Sequence, residues 1–208
     1  MKIDLVKHLE DSLFKSVREE SKITQDILSI NGMSSPKGRH LLNNLCSSSD
    51  INFLEIGCYQ GSTSVSALYG NNIKYTIIDN FKLGIEHKEK LKFNFINHLG
   101  YSPNLIDADC FSFNPIDMGI KNVNIYFYDG EHEEIDQYQA ITHYYDSLCD
   151  EFIYIVDDTN YPPVLTGTFK AIQDKNLKIK WHRTLFATHN GDASNYWNGM
   201  YIAVISKI

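Results

Sequence analysis

The residues best suited to chemistry are carboxylates that follow hydrophobic runs. Asp79 closes the run Lys74 to Asp79, Asp109 comes shortly after Asn104-Leu105-Ile106, and Asp129 follows Val123 to Tyr128. The adjacent pair Asp157 and Asp158 follows Phe152 to Val156. Glu55 lies inside a further run, Asn52 to Ile56, just ahead of Gly57, Gly61 and the hydroxyls of Ser62, Thr63 and Ser64. A glycine turn that opens a helix offers unpaired backbone N–H groups to a polar or anionic ligand. A carboxylate about twenty residues beyond such a turn is placed to accept hydrogen bonds from ribose hydroxyls, and Asp79 has that position. Asp109 stands where an adenine amino group could be met. The turn reads E-x-G-x-x-x-G, which is not the G-x-G-x-x-G of dinucleotide-binding proteins.

These residues need elements to hold them on one edge. The runs Asn52–Ile56, Lys74–Asp79, Asn104–Ile106, Val123–Tyr128 and Phe152–Val156 read as buried strands. Helical spacing separates them. Ser62 to Leu68 follows the glycine turn, and Leu91, Phe95, Ile96 and Leu99 follow Asp79. Ile135, Tyr138, Ile141, Tyr145 and Leu148 follow Asp129, and Val164, Phe169 and Ile172 follow Pro162-Pro163. Two last strands, Ile179–Phe186 and Gly199–Ile205, have no helix between them, only the polar loop from Ala187 to Asn198. Alternating strands and helices predict an α/β fold with a mostly parallel sheet covered on both faces. The final pair predicts a hairpin with one antiparallel strand. In open sheets of this kind, ligands bind beyond the carboxyl ends of the strands, where the aspartates are.

Ahead of the first strand, Leu5, Leu9, Leu13 and Val17 mark one helix. Ser35 as cap and Pro36 at the first helical position mark another through Leu41, Leu42 and Leu45. Residues 1–48 are thus expected to form a helical cap, with the Asn31-to-Ser35 turn as a lid or loop, and residues 49–208 the sheet. One domain is expected from 208 residues.

Composition narrows the function classes. A formal charge of −7 argues against a broad nucleic-acid footprint. The four cysteines are dispersed, with no C-x-x-C pair, which suits reduced thiols in a cytoplasmic protein. No apolar signal region opens the chain, and no run reaches membrane-spanning length.

From Met33 to the end, the chain resembles the class I S-adenosylmethionine-dependent methyltransferases. It is similar to the catechol O-methyltransferase group and to related small bacterial O-methyltransferases that modify sugars. The segment Leu54-Glu55-Ile56-Gly57-x-Tyr59-x-Gly61-x-Thr63 carries the likeness, together with the strand-end carboxylates. The resemblance implies a Rossmann-like, seven-stranded sheet and S-adenosylmethionine as cofactor. Gly57, Tyr59 and Thr63 would line its methionine end, with Met33 and Ser34 covering it, and Glu55 and Gly61 would also belong to the cofactor site. Asp79 would hold the ribose, Asp109 and Cys110 would meet the adenine, and Asp129 would border the cofactor.

The resemblance also implies a metal on Asp129, Asp157 and Asp158. An all-oxygen set of that kind suits Mg²⁺ or another divalent cation. The chain departs from the pattern twice. Asp158 stands where Asn is frequent, and His132 stands where a lysine base is expected. A neutral imidazole can take up that proton near neutral pH.

The expected activity is O-methylation of a hydroxyl on a small molecule or carbohydrate. Asn160, Tyr161 and Trp197, and with them Asn198, are placed toward the acceptor. No nucleic-acid or membrane partner is expected, and a homodimer stays open. Two alternatives are a same-fold hydroxylase-like relative, marked by an O₂ requirement, and a cofactor-binding protein without turnover.

Overall fold

The computed structural model describes residues 3–208 as one seven-stranded sheet flanked by helices. In chain order the elements are α1 (Leu5–Val17), α2 (Gln25–Leu28), α3 (Pro36–Leu45), β1 (Asn52–Ile56), α4 (Ser62–Leu68) and β2 (Lys74–Asp79). Then come α5 (Glu86–Leu99), β3 (Leu105–Asp107), β4 (Val123–Tyr128), α6 (Glu134–Tyr144), β5 (Leu148–Val156), α7 (Pro162–Asp174), β6 (Lys178–Leu185) and β7 (Met200–Ser206).

The strand order is β3-β2-β1-β4-β5-β7-β6. The first five run parallel, and β7 runs antiparallel to both β5 and β6. This is the sheet expected from the alternation of elements and the closing hairpin.

Period-two alternation sorts side chains between the two faces. On one face Leu54, Ile56, Tyr126, Tyr128, Phe152, Tyr154, Val156, Tyr201 and Ala203 pack beneath α6 and α7. On the other, Phe53, Ile125, Phe127, Ile153, Ile155, Ile202 and Val204 meet Leu5, Leu9 and Leu13 of α1 and Leu41, Leu42 and Leu45 of α3. The helices before β1 are therefore part of the central core. Asp4 caps α1 by accepting from Lys7 N at 3.1 Å, and Ser35 caps α3 by accepting from Gly38 N at 3.1 Å. A third cluster joins Ile27 and Ile30 to Val65 and Leu68 of α4 and to Leu91 and Phe95 of α5.

One boundary departs from its helical spacing. Tyr145 and Leu148 continue the apolar rhythm of α6, yet the helix ends at Tyr144, and a 3₁₀ turn covers Tyr145–Ser147. Leu148 instead opens β5 opposite Val123 of β4. Pairing with β4 competes with helix continuation there and prevails. Among the described residues, no helix is long and apolar enough to cross a membrane.

Candidate active site

β1 lies between β2 and β4, so the chain reverses its direction of travel across the sheet at the carboxyl end of β1. Ligands bind at such a reversal in open α/β sheets. The turn Gly57–Gly61 occupies it. Asp79, at the end of β2, braces the turn. Its Oδ2 accepts from Cys58 N at 2.9 Å and Tyr59 N at 2.8 Å, and its Oδ1 accepts from Phe81 N at 2.7 Å. Both carboxylate oxygens thus already hold backbone, and a ribose would share them through their remaining lone pairs.

The two glycines have a different reason from the one their spacing suggests. Gly57 has φ +83°, and a Cβ there would overlap the backbone carbonyl of Asp129. Gly61 has φ +85°, and its Cβ would lie 2.5 Å from Leu91 Cδ1. Each glycine permits close approach of protein to protein, rather than leaving room only for a ligand. The Gly57 turn and the end of β4 are in direct backbone contact.

Glu55 is enclosed by the fold. It is fully buried and accepts from Ser64 Oγ at 2.5 Å and from Thr63 Oγ1. Burial pushes its carboxyl up to about 7, against the opposing pull of the Ser64 and Thr63 hydroxyls. The Thr63 hydroxyl, expected at the methionine end of a cofactor, is spent on this buried bond.

Around the turn, Tyr59 has φ +49° and sets its ring 4.2 Å from that of His87. Gln60 ties the neighbouring segments together, meeting His87 Nδ1 at 3.1 Å and Asn31 Nδ2 at 3.3 Å. Ser34 is buried and lies 3.2 Å from Ser62 Oγ, whereas Met33 is exposed. Behind Ser34 sits Arg39, which is buried. It donates to Ser34 Oγ at 2.9 Å, Ile30 O at 2.9 Å and Leu28 O at 3.1 Å. Burial lowers its guanidinium to about 10. Arg39, Gln60 and His87 brace the surroundings of the glycine turn, yet no spacing in the sequence marks them.

Asp109 is exposed and accepts from Phe111 N at 2.8 Å. Cys110 is half-buried, and burial raises its thiol to about 12. The pair lies beyond β3, which is separated from β4 by β2 and β1.

The acidic residues on the other side of the reversal converge. Asp129 ends β4, His132 lies just before α6, and Asp158 follows β5. One donor atom from each lies within 4.8 Å of the others. His132 Nε2 is in direct contact with Asp158 Oδ2, and Asn198 Nδ2 donates to Asp158 Oδ1. Asp157 takes a different direction. It is 3% exposed, its Oδ1 accepts from Asp158 N at 3.0 Å, and it is outside the converging set. Asp158 has the left-handed φ of +59°.

Charge crowding marks this corner. Burial, then the Asp158 charge, holds the Asp129 carboxyl well above the usual carboxylate range, with His132 opposing. Burial, then Asp129, does the same to Asp157. Burial pushes Asp158 up as well, but the His132 and Asn198 contacts outweigh it and leave Asp158 below its ordinary value. The Asp158 contact raises His132 against the effect of burial.

The segment between β6 and β7 reaches the acidic cluster through Asn198. Asp192 organises it, accepting from Thr188 N and Oγ1, from Ser194 N and Oγ, and from Asn195 Nδ2. The Asn195, Ser194 and Thr188 donors hold its carboxyl well below the usual range. Asn160 N donates to Asn198 O at 2.9 Å, and Asn160 Nδ2 to Asn190 Oδ1 at 3.3 Å. Tyr161 is exposed. Trp197 has φ +56° and pairs with Asp192 through the backbone.

Solved structures share this arrangement of strands and helices. An O-methyltransferase from Bacillus cereus, in complex with SAH, superposes with a TM-score of 0.61 at 13% identity, covering 99% of this chain and 93% of that one. The chain has the class I methyltransferase fold. TrmN from Thermus thermophilus shares this methyltransferase fold at a TM-score of 0.61 and 9% identity, over 88% of this chain. The chain spans about half of that protein, 52%. PH1948 from Pyrococcus horikoshii, described as an RNA methyltransferase, matches over 100% of both chains at a TM-score of 0.58 and 13% identity. No known family profile matches the chain, and no curated protein matches it in sequence.

Proposed function

We propose that this protein is an S-adenosylmethionine-dependent O-methyltransferase that acts on a hydroxyl of a small molecule or carbohydrate with the help of a divalent cation. The observation that carries this reading is the juxtaposition, on one sheet edge of a methyltransferase fold, of the Asp79-braced glycine turn and the Asp129–His132–Asp158 cluster. The first suits a nucleoside cofactor and the second suits the oxygen that receives the methyl group.

On this reading Asp79 holds the ribose while the Gly57–Gly61 turn and the Met33–Ser34 segment enclose the methionine part. Asp109 and Cys110 border the adenine. Asp129 and Asp158 fit a cation by their chemistry: burial first, and like charge after it, raise Asp129 and Asp157, and a positive ion would offset both. Such an ion, when bound, lowers the pKa of a hydroxyl and fixes the position of its oxygen. Asp157 supports the pair from behind through its bond to Asp158 N.

The transfer itself forms the oxygen–methyl bond and breaks the sulfur–methyl bond, leaving S-adenosylhomocysteine and a proton from the hydroxyl. The protein contributes chiefly position and electrostatics. His132 is the one nitrogen base of the Asp129–His132–Asp158 cluster. As a free imidazole it would receive the proton, and as a metal ligand it would leave the proton to water. Asn160, Tyr161, Trp197 and Asn198 offer amides and aromatic faces, groups that suit a hydroxylated ring. The charge of −7 sits poorly with a phosphate backbone as acceptor.

Calorimetry with S-adenosylhomocysteine tests the cofactor half. Transfer of labelled methyl to a panel of phenols and sugars, with and without chelator, tests the rest. Cofactor binding with chelator-sensitive transfer is expected. No affinity for S-adenosylhomocysteine would end the proposal.

A further inference from the structure

His132 is aimed unlike a base that meets its acceptor from outside. Its side chain is 40% exposed, yet Nε2 itself is buried and turned inward against Asp158. Its other near neighbour in the cluster is Asp129. A base has to face the arriving hydroxyl, whereas a ligand has to face the other ligands. Nε2 does the second.

The remaining contacts fit a three-donor centre of two oxygens and one nitrogen. Asn198 holds Asp158 Oδ1, which leaves Oδ2 for the centre. Asp157 has Oδ1 engaged by Asp158 N and stays outside. In an octahedral site with bonds of about 2.1 Å, neighbouring ligand atoms stand about 3 Å apart and opposite ones about 4.2 Å. His132 Nε2 and Asp158 Oδ2, now in direct contact, would part slightly as the proton between them leaves, and the other separations, within 4.8 Å, would close to reach that.

We infer that His132 Nε2 is a metal ligand, and that the site takes a first-row transition dication of the Mn²⁺ or Fe²⁺ kind in preference to Mg²⁺. This rests on the metal-assisted reading of the site. Mg²⁺ favours oxygen donors and retains its waters. Imidazole favours the transition dications, whose affinities rise along the first row. Replacing a carboxylate by a nitrogen donor moves the site from the first class to the second.

The test needs no acceptor and no turnover. Metal-depleted protein is titrated with Mn²⁺ and with Mg²⁺ by calorimetry, and the Mn²⁺ form is studied by pulsed electron paramagnetic resonance. Mn²⁺ is expected to bind at least about tenfold more tightly than Mg²⁺. The Mn²⁺ signal should show ¹⁴N modulation that converts to ¹⁵N modulation when the histidines are ¹⁵N-labelled, an observation that requires no variant. His132→Ala should remove the modulation and bring Mn²⁺ affinity down toward that of Mg²⁺, with S-adenosylhomocysteine affinity unchanged. Mn²⁺ that binds, is lost in Asp158→Ala and shows no nitrogen coupling would overturn the inference while leaving the metal-assisted reading intact. Failure of both ions to bind protein that still takes up S-adenosylhomocysteine would remove the metal from the proposal altogether.

Discussion

The side-chain amide of Asn198 donates to Asp158 Oδ1, so a residue from the segment before β7 sets the orientation of a carboxylate at the end of β5. The same Asn198 accepts from Gly191 N at 2.8 Å through its own Oδ1. The amide therefore couples the segment between β6 and β7 to the acidic cluster. Asn198→Ala is expected to weaken Mn²⁺ or Mg²⁺ binding by about ten- to a hundredfold, the usual effect of losing an orienting partner behind a metal ligand. Affinity for S-adenosylhomocysteine should stay within twofold. Calorimetry with each ligand in turn measures both, and equal metal affinities in parent and variant would detach Asn198 from the site.

Gly57 is predicted to be a stability residue first. A side chain there is strained at φ +83° and collides with backbone rather than with a movable side chain. Gly57→Ala should cost at least about 2 kcal/mol, or roughly 4–8 °C in Tm for a domain of this size. Thermal unfolding with an unchanged Tm would show that the turn can relax away from Asp129.

Asp79 fastens three backbone N–H groups, two of them in the turn. Asp79→Ala should lower S-adenosylhomocysteine affinity roughly tenfold or more, since the ribose contact and the shape of the turn are lost together. Asp79→Asn keeps the size but turns an amide toward donors, and it should fall in the same direction. Binding within twofold of the parent in both variants would count against Asp79 as the ribose residue.

Glu55 gives the fold a pH dependence. Its carboxyl is raised to about 7 in the folded chain, against an ordinary 4.5. The folded state therefore holds the proton more tightly than the unfolded one. The stabilisation is fully present below about pH 4.5 and is lost as pH rises toward and through about 7. At full burial the loss is roughly 3 kcal/mol. Asp129 and Asp157 act with the same sign, so the Glu55 share has to be read by difference. Glu55→Gln should flatten the fall in urea midpoint between about pH 5 and pH 7 relative to the parent. Parallel curves would mean that Glu55 stays ionised.

Much of the sheet is legible from residue pattern, because strands such as Val123–Tyr128 and Phe152–Val156 are buried on both faces and punctuated by polar turns. α2 is not, because four residues are too few to show a helical period. Tyr145 and Leu148 carry a helical rhythm that pairing with Val123 overrides.

At the site, the strand-end positions of Asp79, Asp129, Asp157 and Asp158 follow from the chain, but their directions do not. Which of Asp157 and Asp158 faces His132 turns on a single left-handed residue, Asp158. No feature of the local sequence demands φ +59° there. The Thr63 hydroxyl looks outward on paper and is claimed by Glu55, eight residues away. Asp192 is one of many polar residues between β6 and β7, and its role as the hub of that segment depends on how the loop closes.

The contact between Gly57 and the Asp129 carbonyl bears on how such a protein could diversify. The Gly57 turn and the acidic corner abut at one point where no side chain fits. Remodelling the acceptor pocket by moving the end of β4 would press directly on the turn, and altering the turn would displace Asp129. On the proposed reading, acceptor preference would change instead through the span between β6 and β7, which reaches the same corner by way of the Asn198 amide and leaves that backbone contact alone. A library aimed at altered selectivity would vary residues 186–197 and hold Gly57, Asp129 and Asn198 constant.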